Sequence, residues 1–315
     1  MMHHRKTKDA ARGAWRSILI ALGMEDSFLT GRNGPCPCCG GTDRWQWVND
    51  EGQGGGVCRQ CGGKADGIHL VAAWRDVTWQ EAARLVDSVI GNEAVKADQI
   101  RKELTPDEMR QRCKRVLAHC KRVRKGDVVD SYLAARGIDM TGYPATLATA
   151  EALPYDARTS HPAMVAVITA PDGSNVSLHR TFLSGAGKLD AADCRKVMPG
   201  RLPKGCAVRL TPLGSADDVL GVAEGIETAL SASALFGIPV WAVLNTSMMR
   251  TFEPPAGIRE VAIFADNDTN GAGQQAADAL RQRLAAAGLA VTVHLPREIG
   301  TDFNDELLSH RKGAA

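Results

Sequence analysis

Two sets of side chains in this 315-residue chain have the types and spacing needed for chemistry. The first is Cys36-x2-Cys39, followed after eighteen residues by Cys58-x2-Cys61. Two C-x-x-C knuckles at that separation place four thiolates around one tetrahedral zinc, and four protein ligands leave no open position, so the expected role is structural. Glycines follow each knuckle, at Gly40–Gly41 and Gly62–Gly63, and relax the turn. Cys38 is ambiguous, because pairing it with Cys36 leaves one residue between them, which is poor for a knuckle. An iron–sulfur cluster is the rival use of the same thiolates. Arg44, Trp45, Trp47, Arg59 and Lys64 surround the cluster. Aromatics interleaved with cations suit single-stranded nucleic acid, where bases stack and phosphates pair. The competing reading makes Trp45 and Trp47 the core of a small module.

The second set is acidic. Glu224-Gly225, Asp266-Asn267-Asp268 with Gly271 beyond it, and Asp302, Asn304 and Asp305 follow three separate apolar runs. Carboxylates hold Mg2+ or Mn2+, which prefer hard oxygen ligands. A D-x-D at a strand end aims both acids at one metal, and two such metals stabilise the attacking and leaving oxygens of a phosphoryl transfer. A lone D-x-D reads equally well as a solvated loop with a helix cap. The signal lies in acids at two or three strand ends within about a hundred residues.

The elements that position these groups are legible in part. Val219–Ala223, Val240–Leu244, Val261–Ala265 and Ala290–Leu295 are short apolar runs. Helical stretches alternate with them, Thr228–Phe236 closed by Gly237 and Gln274–Ala287 closed by Gly288. Such alternation predicts a mostly parallel sheet covered on both faces, with functional groups beyond the carboxyl ends of its strands. Upstream, Thr78 and Glu81 form a capping-box pattern for a helix that carries Ala82, Leu85, Val86 and Val89 and stops at Gly91; it is expected to cover the zinc module. Residues 101–125 hold ten basic against three acidic side chains, a local charge of +7. This segment reads as a solvated connector helix or as a phosphate-contacting surface.

Four segments follow: 1–92 with the zinc ribbon, a basic helical connector at 93–130, a basic mixed segment at 131–213, and an α/β unit at 214–315. With 44% hydrophobic and 23% charged residues, the composition excludes a collagen-like, mostly disordered or coiled-coil chain, and a net charge of +2 excludes a globally basic coat. The apolar-rich uncharged stretch Thr228–Leu244 contains Gly237 and Pro239 and falls short of a membrane span. No secretory signal is recognisable, so the cysteine cluster is expected to be a metal site in a reducing, cytoplasmic compartment.

The run Cys36-Pro37-Cys38-Cys39-Gly40-Gly41-Thr42-Asp43-Arg44-Trp45 resembles the zinc-ribbon start of bacteriophage and plasmid primases, and Gly63–Ile68 with the helix after Thr78 is similar to the tail of that module. Glu224-Gly225 with Asp266 and Asp268 resembles the Toprim domain of bacterial-type primases, topoisomerases and some nucleases. Glu224–Leu230 and Thr301–Asp305 look especially like mobile-element primases, as does the segment from His179-Arg180-Thr181-Phe182-Leu183 to Val208-Arg209-Leu210. Asp130–Leu133 through Arg136-Gly137-Ile138 looks like the entry to a primase core.

The resemblance implies an α/β chain: a small N-terminal zinc ribbon, a mixed α+β primase core and a C-terminal Toprim sheet. It also implies a nucleotidyltransferase, a DNA-dependent primase making short primers during mobile-element replication. Glu224, Asp266 and Asp268 would be catalytic: Glu224 would activate the primer hydroxyl or help place a metal, Asp266 and Asp268 would bind Mg2+ or Mn2+, and Asp302 and Asp305 would complete the metal shell or orient the others. Glu227 replaces or shifts an acid that cellular primases place slightly later. Arg44, Trp45, Arg59, Lys64, Arg180, Lys196 and Arg209 would meet DNA or nucleotide, and seven basic against two acidic residues between positions 180 and 209 supply the charge. The expected partners are single-stranded DNA, nucleoside triphosphates and, since no phosphate-loop motor motif is present, a separate replicative helicase; no membrane is expected. The alternatives are a Toprim nuclease or topoisomerase, and a non-catalytic DNA-binding replication accessory protein.

Overall fold

A computed structural model describes residues 7–90 and 104–313, except 192, 201, 215–217 and 270. Residues 91–103, which hold the predicted stop at Gly91 and the first part of the connector, lie outside the described residues, as does Arg201. The chain divides into two units, Met1–Glu103 and Leu104–Ala315. Among the described residues no helix is long and apolar enough to cross a membrane.

In the first unit, four short strands form an antiparallel sheet in chain order: β1 (Gly34–Cys36), β2 (Gly40–Trp47), β3 (Gly56–Cys58) and β4 (Gly62–Lys64). Each knuckle lies in the turn between two paired strands, so the pairing itself brings the cysteines together. A sheet this small has almost no interior of its own. Three helices supply one: α1 (Trp15–Ala21), α2 (Gly67–Arg75) and α3 (Trp79–Ile90). Trp15, Ile18, Leu70, Val71, Ala82 and Val86 form one buried cluster with Cys36, Cys58 and Trp45. The Thr78–Glu81 capping box is present, with Glu81 N–H donating to Thr78 Oγ1 at 3.3 Å and Thr78 N–H to Glu81 Oε2 at 2.9 Å. Asp66 caps α2 by accepting from His69 N–H and also pairs with Lys8 at 2.8 Å.

The second unit begins with α4 (Pro106–Leu117), started by a Thr105–Glu108 capping box with proline in the first turn. Next come β5 (Lys121–Arg122) and α5 (Val128–Ala135). An antiparallel sheet follows, in the order β10-β8-β7-β6-β5: β6 (Leu147–Pro154), β7 (Ser160–Thr169), β8 (Asn175–Ser184) and β10 (Arg195–Val197), with β9 (Gly187–Lys188) paired to β8. Side chains alternate across this sheet with period two. Ala163, Val165, Leu178 and Phe182 face α4, in a cluster with Met109 and Met198. Met164, Ala166, Ile168 and Leu183 face the other way and share a core with the remainder of the unit.

That remainder is a four-stranded parallel sheet in the order β12-β11-β13-β14: β11 (Val219–Ala223), β12 (Val240–Ala242), β13 (Glu260–Phe264) and β14 (Ala290–His294). Helices α6 (Ile226–Phe236), α7 (Thr246–Arg250), α8 (Ala272–Ala286) and α9 (Phe303–Gly313) complete it. Alternation sorts its residues too. Ala223, Val240, Ala242, Ala262 and Phe264 join α6 and α9 in the core shared with the antiparallel sheet. Leu220, Val222, Trp241, Val261 and Ile263 pack under α8. The predicted strand and helix alternation is therefore present, and Gly237 adopts the left-handed conformation that ends α6, at φ 69.

Candidate functional site

The four cysteines converge. The Sγ atoms of Cys36, Cys39, Cys58 and Cys61 all lie within 4.8 Å of one another. Cys36 and Cys61 stand 3.7 Å apart, and Cys39 and Cys58 3.6 Å. Tetrahedral zinc with Zn–S bonds of about 2.3 Å needs thiolates roughly 3.8 Å apart, so the set fits that ion. Backbone N–H groups of Cys38, Gln60 and Cys61 point at Cys36 and Cys58 sulfurs at 3.3–3.4 Å and stabilise negative sulfur. Burial pushes the Cys36 thiol up, but hydrogen bonds from the Cys38 and Cys39 backbone outweigh it and leave Cys36 below the ordinary value. Cys38 lies outside the cluster, and burial and the neighbouring Cys36 push it up to about 12, which keeps it a thiol.

The ribbon residues expected to touch DNA have internal commitments. Trp45 is 1% exposed and its indole N–H donates to Phe28 O at 2.8 Å, so it offers no face to a base and belongs to the module's core. Trp47 is also buried. Arg59 pairs with Asp43 at 2.8 Å, and Lys64 donates to Cys61 O at 3.2 Å, setting its ammonium beside the thiolates. Arg44 is half-buried, its guanidinium lying where a side chain on Gly41 (φ +83) would be.

In the second unit the acids gather beyond the carboxyl ends of β11 and β13. Glu224 directly follows β11, and its carbonyl accepts from Leu244 N–H at 2.8 Å. Leu244 makes this bond at φ 70, a left-handed conformation that a bulky residue rarely adopts and that clusters at functional sites. Asp266 and Asp268 lie in the loop after β13. Asn267, between them, ties that loop to the chain before α9. Its side chain donates to Pro296 O at 3.0 Å and Glu298 O at 3.2 Å, and its N–H donates to Thr301 O. Gln274 of α8 donates to Asn267 Oδ1 at 3.0 Å. Gly273 lets α8 approach: a Cβ there would lie 2.9 Å from Asp266 O. Asp302 and Asp305 form a reciprocal cap at the start of α9, Asp302 Oδ1 accepting from Asn304 and Asp305 N–H and Asp305 Oδ2 from Asp302 N–H.

These carboxylates feel one another. Burial, Asp302 and Asp268 push Asp266 up to about 7, with Asp305 adding to the effect and Arg195 opposing it. Asp266 Oδ1 is buried without a hydrogen-bond partner, a hard oxygen donor aimed at nothing in the protein. Among the described residues, the cysteines alone bring three or more potential ligand atoms within 4.8 Å, so the acids do not by themselves form a cage. That suits Mg2+, which is usually held by one or two carboxylates together with water and substrate phosphates.

Strand register sorts the basic residues. On β8 and β10, Lys196 is opposite Arg180 and Arg195 is opposite Thr181, so the two pairs lie on opposite faces. Arg180 and Lys196 lie on the α4 face, away from the parallel sheet. Lys196 donates to Tyr155 O at 2.9 Å, pairs with Asp193 at 3.1 Å and lies 3.6 Å from the Tyr155 ring centroid. Arg180 is half-buried over the Phe182 ring. Arg209 lies over Trp241 and donates to Ala170 and Pro171 carbonyls. The three cations singled out from sequence thus brace the fold. Facing the acids instead are Arg195, exposed on β10, and Lys188, paired with Glu227 at 3.3 Å. Period-two alternation from Phe182 and Met198, both turned to α4, would have separated Arg195 from Lys196. The basic connector contributes Lys121, Arg122 and Arg124 to a concavity of ≈ 570 Å³ that none of the acids lines.

Residues 219–313 match the Toprim domain. Residues 31–68 match the zinc-binding domain of primase-helicase, and residues 107–210 match a domain of unknown function, DUF7146. The chain is a mixed α/β protein with an N-terminal zinc ribbon, an antiparallel sheet within the DUF7146 match and a C-terminal Toprim domain built on the parallel sheet. Among solved structures, the zinc-binding and RNA polymerase domains of the Aquifex aeolicus primase are 17% identical, with 98% of this chain and 83% of that one covered and a TM-score of 0.44. The primase fragment of the bacteriophage T7 primase-helicase protein is 14% identical, with coverage of 90% and 97% and a TM-score of 0.41. A DnaG primase catalytic domain bound to ssDNA is 14% identical, with coverage of 66% and 77% and a TM-score of 0.35.

Proposed function

We propose that this protein is a DNA-dependent primase, a nucleotidyltransferase that makes short primers on single-stranded DNA in the replication of a mobile element. The observation that carries this is the facing of two surfaces in one unit. Acids at the carboxyl ends of the Toprim strands lie opposite the side of the antiparallel sheet that presents Arg195. A phosphoryl transfer needs both: hard ligands for divalent metal, and a cation for phosphate oxygens. The zinc ribbon on the same chain supplies a rigid template-reading module.

In this reading Asp266 and Asp268 would hold Mg2+ or Mn2+, and a bound ion would supply charge neutralisation at the reacting phosphate. Asn267 fixes the loop that presents them. Glu224 takes the proton of the primer 3′-hydroxyl, whose oxygen bonds to the α-phosphorus of the incoming nucleotide as the bond to the β-phosphate breaks and pyrophosphate leaves. Asp302 and Asp305 orient Asp266 through charge and hold the start of α9. Arg195 meets nucleotide phosphates. A replicative helicase is the expected partner.

The three tyrosines favour this over a topoisomerase, which needs a free tyrosine nucleophile. Tyr132 is buried and bonded to Glu227, Tyr143 donates to Asp130, and Tyr155 donates to Asp193. Burial, together with the adjacent carboxylate, pushes Tyr143 up to about 12, and the Asp193 contact does the same for Tyr155.

The test is de novo synthesis on single-stranded DNA with labelled nucleotides and Mg2+ or Mn2+, comparing wild type with Asp266→Asn/Asp268→Asn. Short products from wild type that vanish in the variant are expected. DNA binding without product under any metal or template would point to an accessory protein.

A further inference from the structure

Glu227 stands three residues after Glu224, in the first turn of α6, where a further metal-binding acid would be natural. Its surroundings assign it differently. The residue is 5% exposed. Its Oε1 accepts from the Tyr132 hydroxyl of α5 and pairs with Lys188 Nζ of β9 at 3.3 Å. Tyr132 is fully buried, and the Lys188 side chain is 23% exposed. His179, buried on the same face of β8, completes the polar surroundings. Burial alone would push Glu227 up. The Lys188 charge and the Tyr132 hydroxyl outweigh it and hold the carboxyl down at about 2, so it is ionised.

A buried ion pair is a poor source of net stability, because desolvation offsets the attraction, and apolar replacements are often neutral. What such a contact does well is define one geometry. Glu227 joins three elements: α5, the β9 hairpin and α6. Gly225, the residue before α6, has no side chain with which to cap that helix. On the other side, the Glu224 carbonyl is held by Leu244 N–H in its left-handed conformation. Glu224 therefore lies between two constraints.

We propose that Glu227 is a positioning residue, a buried carboxylate strut that uses Tyr132 and Lys188 to fix the start of α6 and thereby the placement of Glu224, and that it is not a metal ligand. Its catalytic consequence rests on the primase reading above; its structural consequence does not.

The experiment compares full-length wild type with Glu227→Gln, Lys188→Met, Tyr132→Phe and the charge-neutral double variant Lys188→Met/Glu227→Gln. Four quantities are read: melting temperature, Mn2+ affinity by electron paramagnetic resonance, kcat and nucleotide KM in primer synthesis, and hydrogen exchange at the Leu244 amide. Glu227→Gln should lower kcat by about ten- to hundred-fold below its melting transition. Nucleotide KM and Mn2+ affinity should stay within about two-fold, a change too small to mark a lost ligand. Exchange at Leu244 should accelerate more than at the amides of β13. The double variant should recover most of the kcat and the slow exchange, since the glutamine still accepts from Tyr132 and no unpaired charge remains. Two results overturn the proposal. A loss of Mn2+ affinity matching that of Asp266→Asn would make Glu227 a ligand, and unchanged kcat with unchanged Leu244 exchange in folded Glu227→Gln would make the contact merely structural. If wild type makes no primer, the primase reading fails, and the Leu244 exchange series still decides the strut.

Discussion

Exchanging two adjacent cations for methionine gives opposite outcomes if the pleat of β10 decides which of them meets substrate. Arg195 is exposed on the acid-facing side and Lys196 points toward α4. A charged hydrogen bond to a phosphate is worth roughly 1.5–3 kcal/mol. At about 1.4 kcal/mol per factor of ten, Arg195→Met should raise nucleotide KM roughly 10- to 100-fold. It should barely alter melting, because the side chain is exposed and off the core. Lys196→Met removes an ion pair at 3.1 Å, a hydrogen bond at 2.9 Å and a ring contact at 3.6 Å. With half-exposed geometry discounting the first and last, these sum to about 1–2 kcal/mol of stability. For a unit of this size that is a fall of roughly 3–8 °C in melting temperature. Nucleotide KM should change little. The assay is steady-state primer synthesis at varied nucleotide concentration, alongside thermal unfolding followed by circular dichroism. A raised KM in Lys196→Met with unchanged melting, and a normal KM in Arg195→Met, would refute the assignment by register.

Elemental analysis should find one zinc per chain, lost with the ribbon fold in Cys58→Ser and retained in Cys38→Ser, since Cys38 Sγ lies outside the cluster. Acid should destabilise the second unit through His179, which burial lowers from 6.5 to about 4. The imidazole is neutral in the folded state, so its contribution is complete above pH 6.5 and is lost as pH falls toward 4; Glu227, held low, acts in the same direction only at lower pH. The full effect is at most about 3 kcal/mol, and His179→Gln should flatten that part of the stability profile measured by urea unfolding at stepped pH. A profile unchanged by the substitution would show that another group titrates there.

Much of this protein is local and therefore legible. Knuckle spacing names four thiolates because ligand geometry is set within a turn. The helix starts at Thr78 and the stops at Gly237 and Gly288 follow from capping and from φ. Strands at 219–223 and 260–264 with acids just beyond them follow from apolar runs and α/β connectivity, which place Glu224 and Asp266 at one end of a parallel sheet.

What residue types alone left open is which face, and against what. Trp45 and Trp47 carry the same residue type a nucleic-acid platform would use; they are core because a sheet of four short strands has almost no interior of its own and buries them with Trp15, Ile18, Leu70 and Val71 around Cys36 and Cys58. Lys196 and Arg195 are neighbours of like charge, and only the pairing of β10 with β8 turns one to α4 and the other to the acids. Glu227 reads as a replaced or shifted acid of the site until Tyr132, 95 positions away, is seen to donate to it. Charge and hydrogen-bonding capacity belong to the sequence. The direction in which they are spent depends on sheet register and on contacts between residues far apart in the chain, and those exist only once the chain has folded.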